Sequence, residues 1–124
     1  MGRLNTFGFF TKKGIELLNQ EGFLGFIIPN TITTQDYYEE LREMILESCK
    51  IEAIVNFDKM LFKDAVVENV ILILQKAQSE KERAVAMTSV IQLNANSSYV
   101  EVKKIKQSLF IESPKHCFNT NINA

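Results

Sequence analysis

The chain has 124 residues, 46% of them apolar and 23% charged, with a formal net charge of -1. That is enough for one domain with one core, and the bulk charge counts mildly against autonomous nucleic-acid binding while leaving room for a local basic edge. No apolar run reaches the ~18 residues of a membrane helix, the first residues do not read as a signal peptide, and Cys49 and Cys117 lack metal-ligand spacing. A cytoplasmic protein with reduced thiols is the simplest expectation, although the spacing leaves a disulfide between them open.

The first element is a helix over Asn5–Gln20, with Phe7, Phe10, Gly14, Leu17 and Leu18 near one face. Asn5 or Thr6 can cap its start, and Gly22 is placed to end it in a left-handed conformation. Phe23–Ile28 is almost wholly apolar and stops at Pro29, which has no amide hydrogen to continue a ladder. The run predicts a parallel strand buried on both faces, with a ligand-binding loop at its carboxyl end.

A second helix is predicted from Asp36 to Cys49, capped by Thr33 or Thr34. Its inward stripe is Tyr38, Leu41, Ile45 and Ser48 with Met44, and Arg42 falls mostly outside it among the glutamates. Ile51–Phe57 reads as the next strand, so strand, helix and strand form a right-handed parallel crossover. Val66–Gln75 is a strand too close behind to be reached through a helix, so the pair is expected to be antiparallel. The loop Asp58–Ala65 between them carries one aromatic, Phe62.

Gln78–Glu82 reads as a turn, Arg83–Leu93 as a strand and Asn94–Ser98 as a second turn. Tyr99–Leu109 fits a helix, with room for a strand at its start. Ile111–Ala124 is polar and turn-rich, with an end expected to fray.

Several of these segments resemble one family. They are Glu16-Leu17-Leu18, the run from Gly22 to Thr31, Leu41-Arg42-Glu43, Ile54-Val55-Asn56-Phe57, and the run from Phe62 to Lys76. The resemblance is to the N6-adenine DNA methyltransferases of type II and type IIG restriction-modification systems. It covers roughly Leu4 to Lys76 and corresponds to the second half of their catalytic domain. It implies an α/β fold, part of a Rossmann-like S-adenosylmethionine-dependent methyltransferase sheet with a late antiparallel hairpin. Residues 1–93 would be that half-domain, and residues 94–124 a partly disordered extension toward a target-recognition region. The family's cofactor loop and its Asn-Pro-Pro-Tyr/Phe motif do not occur here, since the only prolines, Pro29 and Pro114, are not adjacent. The expectation is therefore a fragment of a site-specific DNA methyltransferase that is inactive alone. The alternative is a non-catalytic binding or assembly module built on the same sheet.

The resemblance also implies site residues. Phe62 would stack on the adenine extruded from the duplex, replacing roughly 1–3 kcal/mol of lost stacking. Phe10 would line the adenine of S-adenosylmethionine, against its alternative as a core residue. Pro29, Asn30 and Thr31 sit at the sheet's carboxyl edge, where they could touch DNA or cofactor or simply cap the next helix. Lys59 and Lys63 flank Phe62 and could meet phosphates, or be a solvated loop. No catalytic residue and no metal ligand is expected within this chain. S-adenosylmethionine and DNA would be the cofactor and partner of the parent protein, with no cofactor held by this chain alone. A free sheet edge would favour a homo-oligomer.

Overall fold

An apolar strand can end at the margin of a sheet as readily as in its centre, and here it does. In the computed structural model, which describes residues 6–57, 69–94 and 96–120, the first strand is β1 (Phe23–Pro29). It follows helix α1 (Thr6–Leu17) and leads through short 3-10 turns at Asn30–Thr33 and Asp36–Tyr38 into α2 (Glu39–Ser48). Then come β2 (Cys49–Phe57), β3 (Asn69–Lys76), α3 (Glu80–Val85), β4 (Met87–Leu93) and β5 (Tyr99–Lys106). Helix α4 (Gln107–Glu112) and a 3-10 turn at Pro114–His116 close the described chain.

The five strands form one sheet in the order β1-β3-β2-β4-β5. β3 is antiparallel to both β1 and β2, so those two run the same way with β3 between them. β4 is parallel to β2, and β5 is antiparallel to β4. The expected antiparallel pairing of the second and third strands holds. The expected crossover is corrected: α2 does link two co-directional strands, but they are not neighbours.

The expectation that β1 is parallel and buried on both faces is also corrected. β1 pairs only with β3 among the described residues, and Phe23 and Ile27 are each 60% exposed. Hydrophobicity reports a preference for burial, not the presence of a covering layer. Leu24, Phe26 and Ile28 point to the other face, where Ile28 joins a core with Ile51, Ile54, Val70, Leu72, Leu74, Val90 and Ile105. Helices supply Ile15, Leu41, Ile45, Leu46 and Phe110 to the same core. On the opposite face Ile27, Ile71, Val55 and Ile91 stand in register across four strands, outside that core.

α1 buries Gly8, Thr11 and Ile15, not the expected aromatic stripe; Phe10 and Leu17 are each 73% exposed. Small residues win that face because the helix lies close to β1: a Cβ on Gly14 would sit 2.9 Å from Leu24 Cδ2. The left-handed residue after α1 is Glu21 (φ 68°), one place before the glycine expected to take it. Lys76 completes that end, its ammonium donating to the carbonyls of Ile15 at 3.2 Å and Leu18 at 3.1 Å.

The remaining differences are local. α2 begins at Glu39 with no side-chain cap, so neither Thr33 nor Thr34 caps it, and Arg42 is fully buried. The expected turn at Gln78–Glu82 is the start of α3, capped by the Ser79 hydroxyl, which accepts from the Glu82 amide. β5 is strand throughout Tyr99–Lys106, and the helix begins only at Gln107. Within the tail, Phe118 is 1% exposed and its amide donates to the Thr33 carbonyl at 2.8 Å; the end expected to fray, 121–124, lies outside the described residues.

Candidate functional site at the carboxyl edge of the sheet

Because β3 runs against both its neighbours, the carboxyl ends of β1 and β2 come to one edge, beside the amino end of β3. Pro29 opposes Asn69 there, and Asn56 opposes Val70. Beyond Pro29 the chain folds at once into the 3-10 turn, where the Thr33 hydroxyl donates to the Asn30 carbonyl at 2.7 Å. The Thr31 carbonyl accepts from the amides of Gln35 at 2.9 Å and Thr34 at 3.3 Å. Of the three residues expected at this edge, Asn30 lines a pocket; Pro29 and Thr31 build the turn behind it.

That pocket holds about 250 Å³ and is lined by Asn30, Thr33, Thr34, Asn56, Phe118, Asn119 and Thr120. Behind the lining residues, the turn after β1 and the tail are joined through the buried Arg42. The guanidinium donates to the carbonyls of Gln35 (2.7 Å), Ile32 (2.9 Å), Lys115 (3.0 Å) and His116 (3.1 Å). Burial pulls the Arg42 pKa below its ordinary value, and Cys117, Glu39 and Asp36 act against that pull. The group stays a cation, so the carbonyl dipoles do the work of solvation. Lys115 and His116 adopt left-handed backbone (φ 55° each) to present those carbonyls. On the surface Lys115 pairs with Asp36 at 2.7 Å, which lowers the Asp36 pKa and raises that of Lys115.

A second hollow lies between α1 and the margin strand. It holds about 410 Å³ and is lined by Phe7, Phe10, Thr11, Leu24, Phe26, Ile27 and Ile28. Phe10 is thus on an open apolar groove and not in the core. The Thr11 hydroxyl is already donated to the Phe7 carbonyl at 2.8 Å, so the groove offers ring faces and methyl groups. These walls present flat apolar faces, and none of the described residues lining the groove is charged.

Phe62, Lys59 and Lys63 lie outside the described residues. His116 and Cys117 carry no ligand geometry: His116 Nδ1 meets the Ile111 carbonyl at 3.0 Å, and Cys117 Sγ lies 3.6 Å from the Thr34 carbonyl. Both cysteines are free thiols, and burial pushes Cys49 up to about 11. Among the described residues no cluster of His, Cys, Asp and Glu could hold a metal, and no helix is long and apolar enough to cross a membrane.

Sequence reasoning missed Asn56, Phe118, Asn119 and Thr120 as pocket residues. Asn56 carried a signal, a polar residue near the end of an apolar strand. Phe118 carried another, an aromatic within a polar tail. Gln107 was also missed. It is fully buried, and its side chain accepts from the Ile51 amide (2.7 Å) and donates to the Cys49 carbonyl (2.8 Å). It stands in for a ladder where β2 begins ahead of β4, whose first partner is Ala53.

Residues 1–62 match the family model described as Eco57I restriction-modification methylase. A Methanocaldococcus jannaschii protein assigned as a type II restriction enzyme and methyltransferase is 31% identical over 100 residues, covering 81% of this chain and 8% of that protein. The crystal structure of the type IIG restriction endonuclease BpuSI superposes with a TM-score of 0.66 at 17% identity, over 88% of this chain and 15% of that one. A Listeria monocytogenes protein assigned to the class I S-adenosylmethionine-dependent methyltransferases superposes at 0.56 with 24% identity, over 71% of this chain and 26% of that one. The chain therefore spans a small part of each of these proteins.

Proposed function

This chain belongs to the Eco57I restriction-modification methylase family, with part of a Rossmann-like α/β methyltransferase sheet, and from that premise we propose that it is the second half of a catalytic domain that methylates N6 of adenine in DNA. The single observation behind the reading is the family match over residues 1–62, which takes in β1, α2, β2 and the carboxyl edge they build. Residues 1–93 form the half-domain, and residues 94–124 lead from it toward target recognition. The work belongs in the cytoplasm, where DNA and reduced thiols coexist.

S-adenosylmethionine, when bound, supplies an activated methyl group on sulfur. The residues of this chain bind and orient around that chemistry. Phe10 and Phe7 offer ring faces for the cofactor's adenine in the groove beside β1. Phe62 cushions the extruded adenine, Lys59 and Lys63 meet backbone phosphates, and Pro29, Asn30 and Thr31 shape the edge beneath. Holding donor and acceptor in line is the main lever such a site has. The chain alone lacks the groups that grip the methionine part and the target amine, so alone it binds no cofactor and transfers no methyl group.

A segment exchange tests this. Residues of this chain replace the matching segment of the M. jannaschii relative, and methylation is read with tritiated S-adenosylmethionine on unmodified DNA. The exchange should keep N6-methyladenine formation, and Phe62→Ala within it should cost about 10²-fold. A folded exchange that modifies no adenine, while the relative does, overturns the reading. So does stoichiometric S-adenosylmethionine binding by the isolated chain, for the inactivity part.

One observation favours a second reading as an assembly module. Ile27, Ile71, Val55 and Ile91 form an apolar row across the sheet, and β1 has a free edge among the described residues. On this reading the chain pairs with a second copy through that edge. Light scattering that shows a monomer at high concentration would remove it.

A further inference from the structure

Three asparagines from three separate elements meet at the carboxyl edge. Asn30 comes from the turn after β1, Asn56 from the end of β2 and Asn119 from the tail. Thr33, Thr34 and Thr120 complete the rim, and Phe118 closes the floor. None of these side chains is charged. A phosphate entering here would lose water and meet no cation among the described lining residues. A purely apolar group would strip water from amides and hydroxyls without replacing its hydrogen bonds.

What matches is a neutral group with donors and acceptors set side by side along one edge. A carboxamide presents the same pair, which is how asparagine reads a base bidentately. The Phe118 ring is only 1% exposed, so it offers no face on which a base could stack. The pocket is therefore unlike a cradle for a fully extruded ring.

The walls are also stiff. The Phe118 amide is tied to the Thr33 carbonyl at 2.8 Å, and the Ser113 hydroxyl to the Cys117 carbonyl at 2.9 Å. Arg42 joins the turn side, at Ile32 and Gln35, to the tail side, at Lys115 and His116. A polar pocket with fixed walls loses little freedom on binding.

We propose that this pocket takes the hydrogen-bonding edge of a neutral nucleobase, from a nucleotide other than the one to be methylated. Asn56 and Asn119 make the contacts, and Arg42 is the positioning residue that holds the two walls together. The source of the base rests on the DNA-modifying reading above; the preference for a neutral edge does not.

The test uses the ¹⁵N-labelled chain and the side-chain amide signals of Asn30, Asn56 and Asn119. The four deoxynucleosides are titrated separately, with inorganic phosphate as the ionic probe. At least one deoxynucleoside should shift the Asn56 and Asn119 amides saturably, with a dissociation constant on the order of 1 mM, and phosphate should leave them unmoved. Asn56→Leu should weaken the response at Asn119 at least tenfold while the backbone spectrum stays folded. Thr34→Val, on the exposed rim, should weaken it less and serves if the first variant fails to fold. Arg42→Lys should broaden the Asn119 signal and weaken binding. No saturation with any deoxynucleoside, a response to phosphate instead, or an unchanged response in both pocket variants overturns the proposal. Nucleoside binding without adenine methylation in the segment exchange would fell the DNA reading and leave the pocket; methylation with a silent pocket would do the reverse.

Discussion

The two hollows of this molecule are built on opposite principles. The carboxyl-edge pocket is polar, and its walls are fastened by hydrogen bonds from Arg42 and the Phe118 amide. The groove beside α1 is apolar, and its most prominent side chain, Phe10, is 73% exposed with no fastening at all. The first spends buried polar groups on shape. The second leaves apolar surface in water. The contrast teaches that an aromatic's worth depends on what surrounds it: Phe118 and Phe10 are the same residue doing unlike jobs.

The sharpest way to break that contrast is to truncate both rings. Phe118→Ala empties a filled site and should cost about 3–5 kcal/mol in urea unfolding. Phe10→Ala should change stability by less than about 0.5 kcal/mol, since little of the ring is buried. Equal losses would mean that the groove is core after all.

Gln107→Leu comes next. It keeps the bulk but orphans the Ile51 amide and the Cys49 carbonyl inside the core. A loss of about 2 kcal/mol or more is expected in the same assay. A neutral result would show that the start of β2 finds other partners.

Smaller and opposite in sign, Glu21→Gly should stabilise the chain by up to about 1 kcal/mol. The residue is held at φ 68°, where a side chain is strained. Thermal melting would read it, and a drop instead would mean that the glutamate makes a compensating contact.

The smallest effect is electrostatic. Asp36 is lowered below its ordinary 3.8 by Lys115, so its contribution is present above that value and fades as the pH falls through the lower folded value. Lys115 is raised above 10.5, so its share is complete below that and fades as the pH rises through the folded value. Both groups are exposed, so Asp36→Asn should flatten the acid limb only slightly, and added salt should erase the difference. A large shift in the acid midpoint would mean that the pair is an anchor.

Much of the architecture could be read from periodicity alone. The apolar runs marked β1, β2 and β3, and the short link between the last two marked their antiparallel pairing. What could not be read was the order of strands. A run such as Phe23–Ile28 states that it favours burial, not which neighbour flanks it, so its place at the margin was invisible. Arg42 was read as wet because charge usually means solvent, and the carbonyls that take it in come from residues as distant as Lys115 and His116. Asn30 was legible because proline and polarity mark a strand's end. Its companions Asn56 and Asn119 were not, because tertiary folding alone brings them together.

The strand order carries one more consequence, for the timing of assembly. β1 has β3 as its sole ladder partner among the described residues, and β2 bonds to the same strand on its other side. A ribosome making this polypeptide would thus expose two orphan ribbons before the wedge between them, ending at Lys76, has emerged. Pairings that span so much intervening chain are slow to nucleate. During that interval the facing backbone groups of β1 and β2 have no ladder partner in β3.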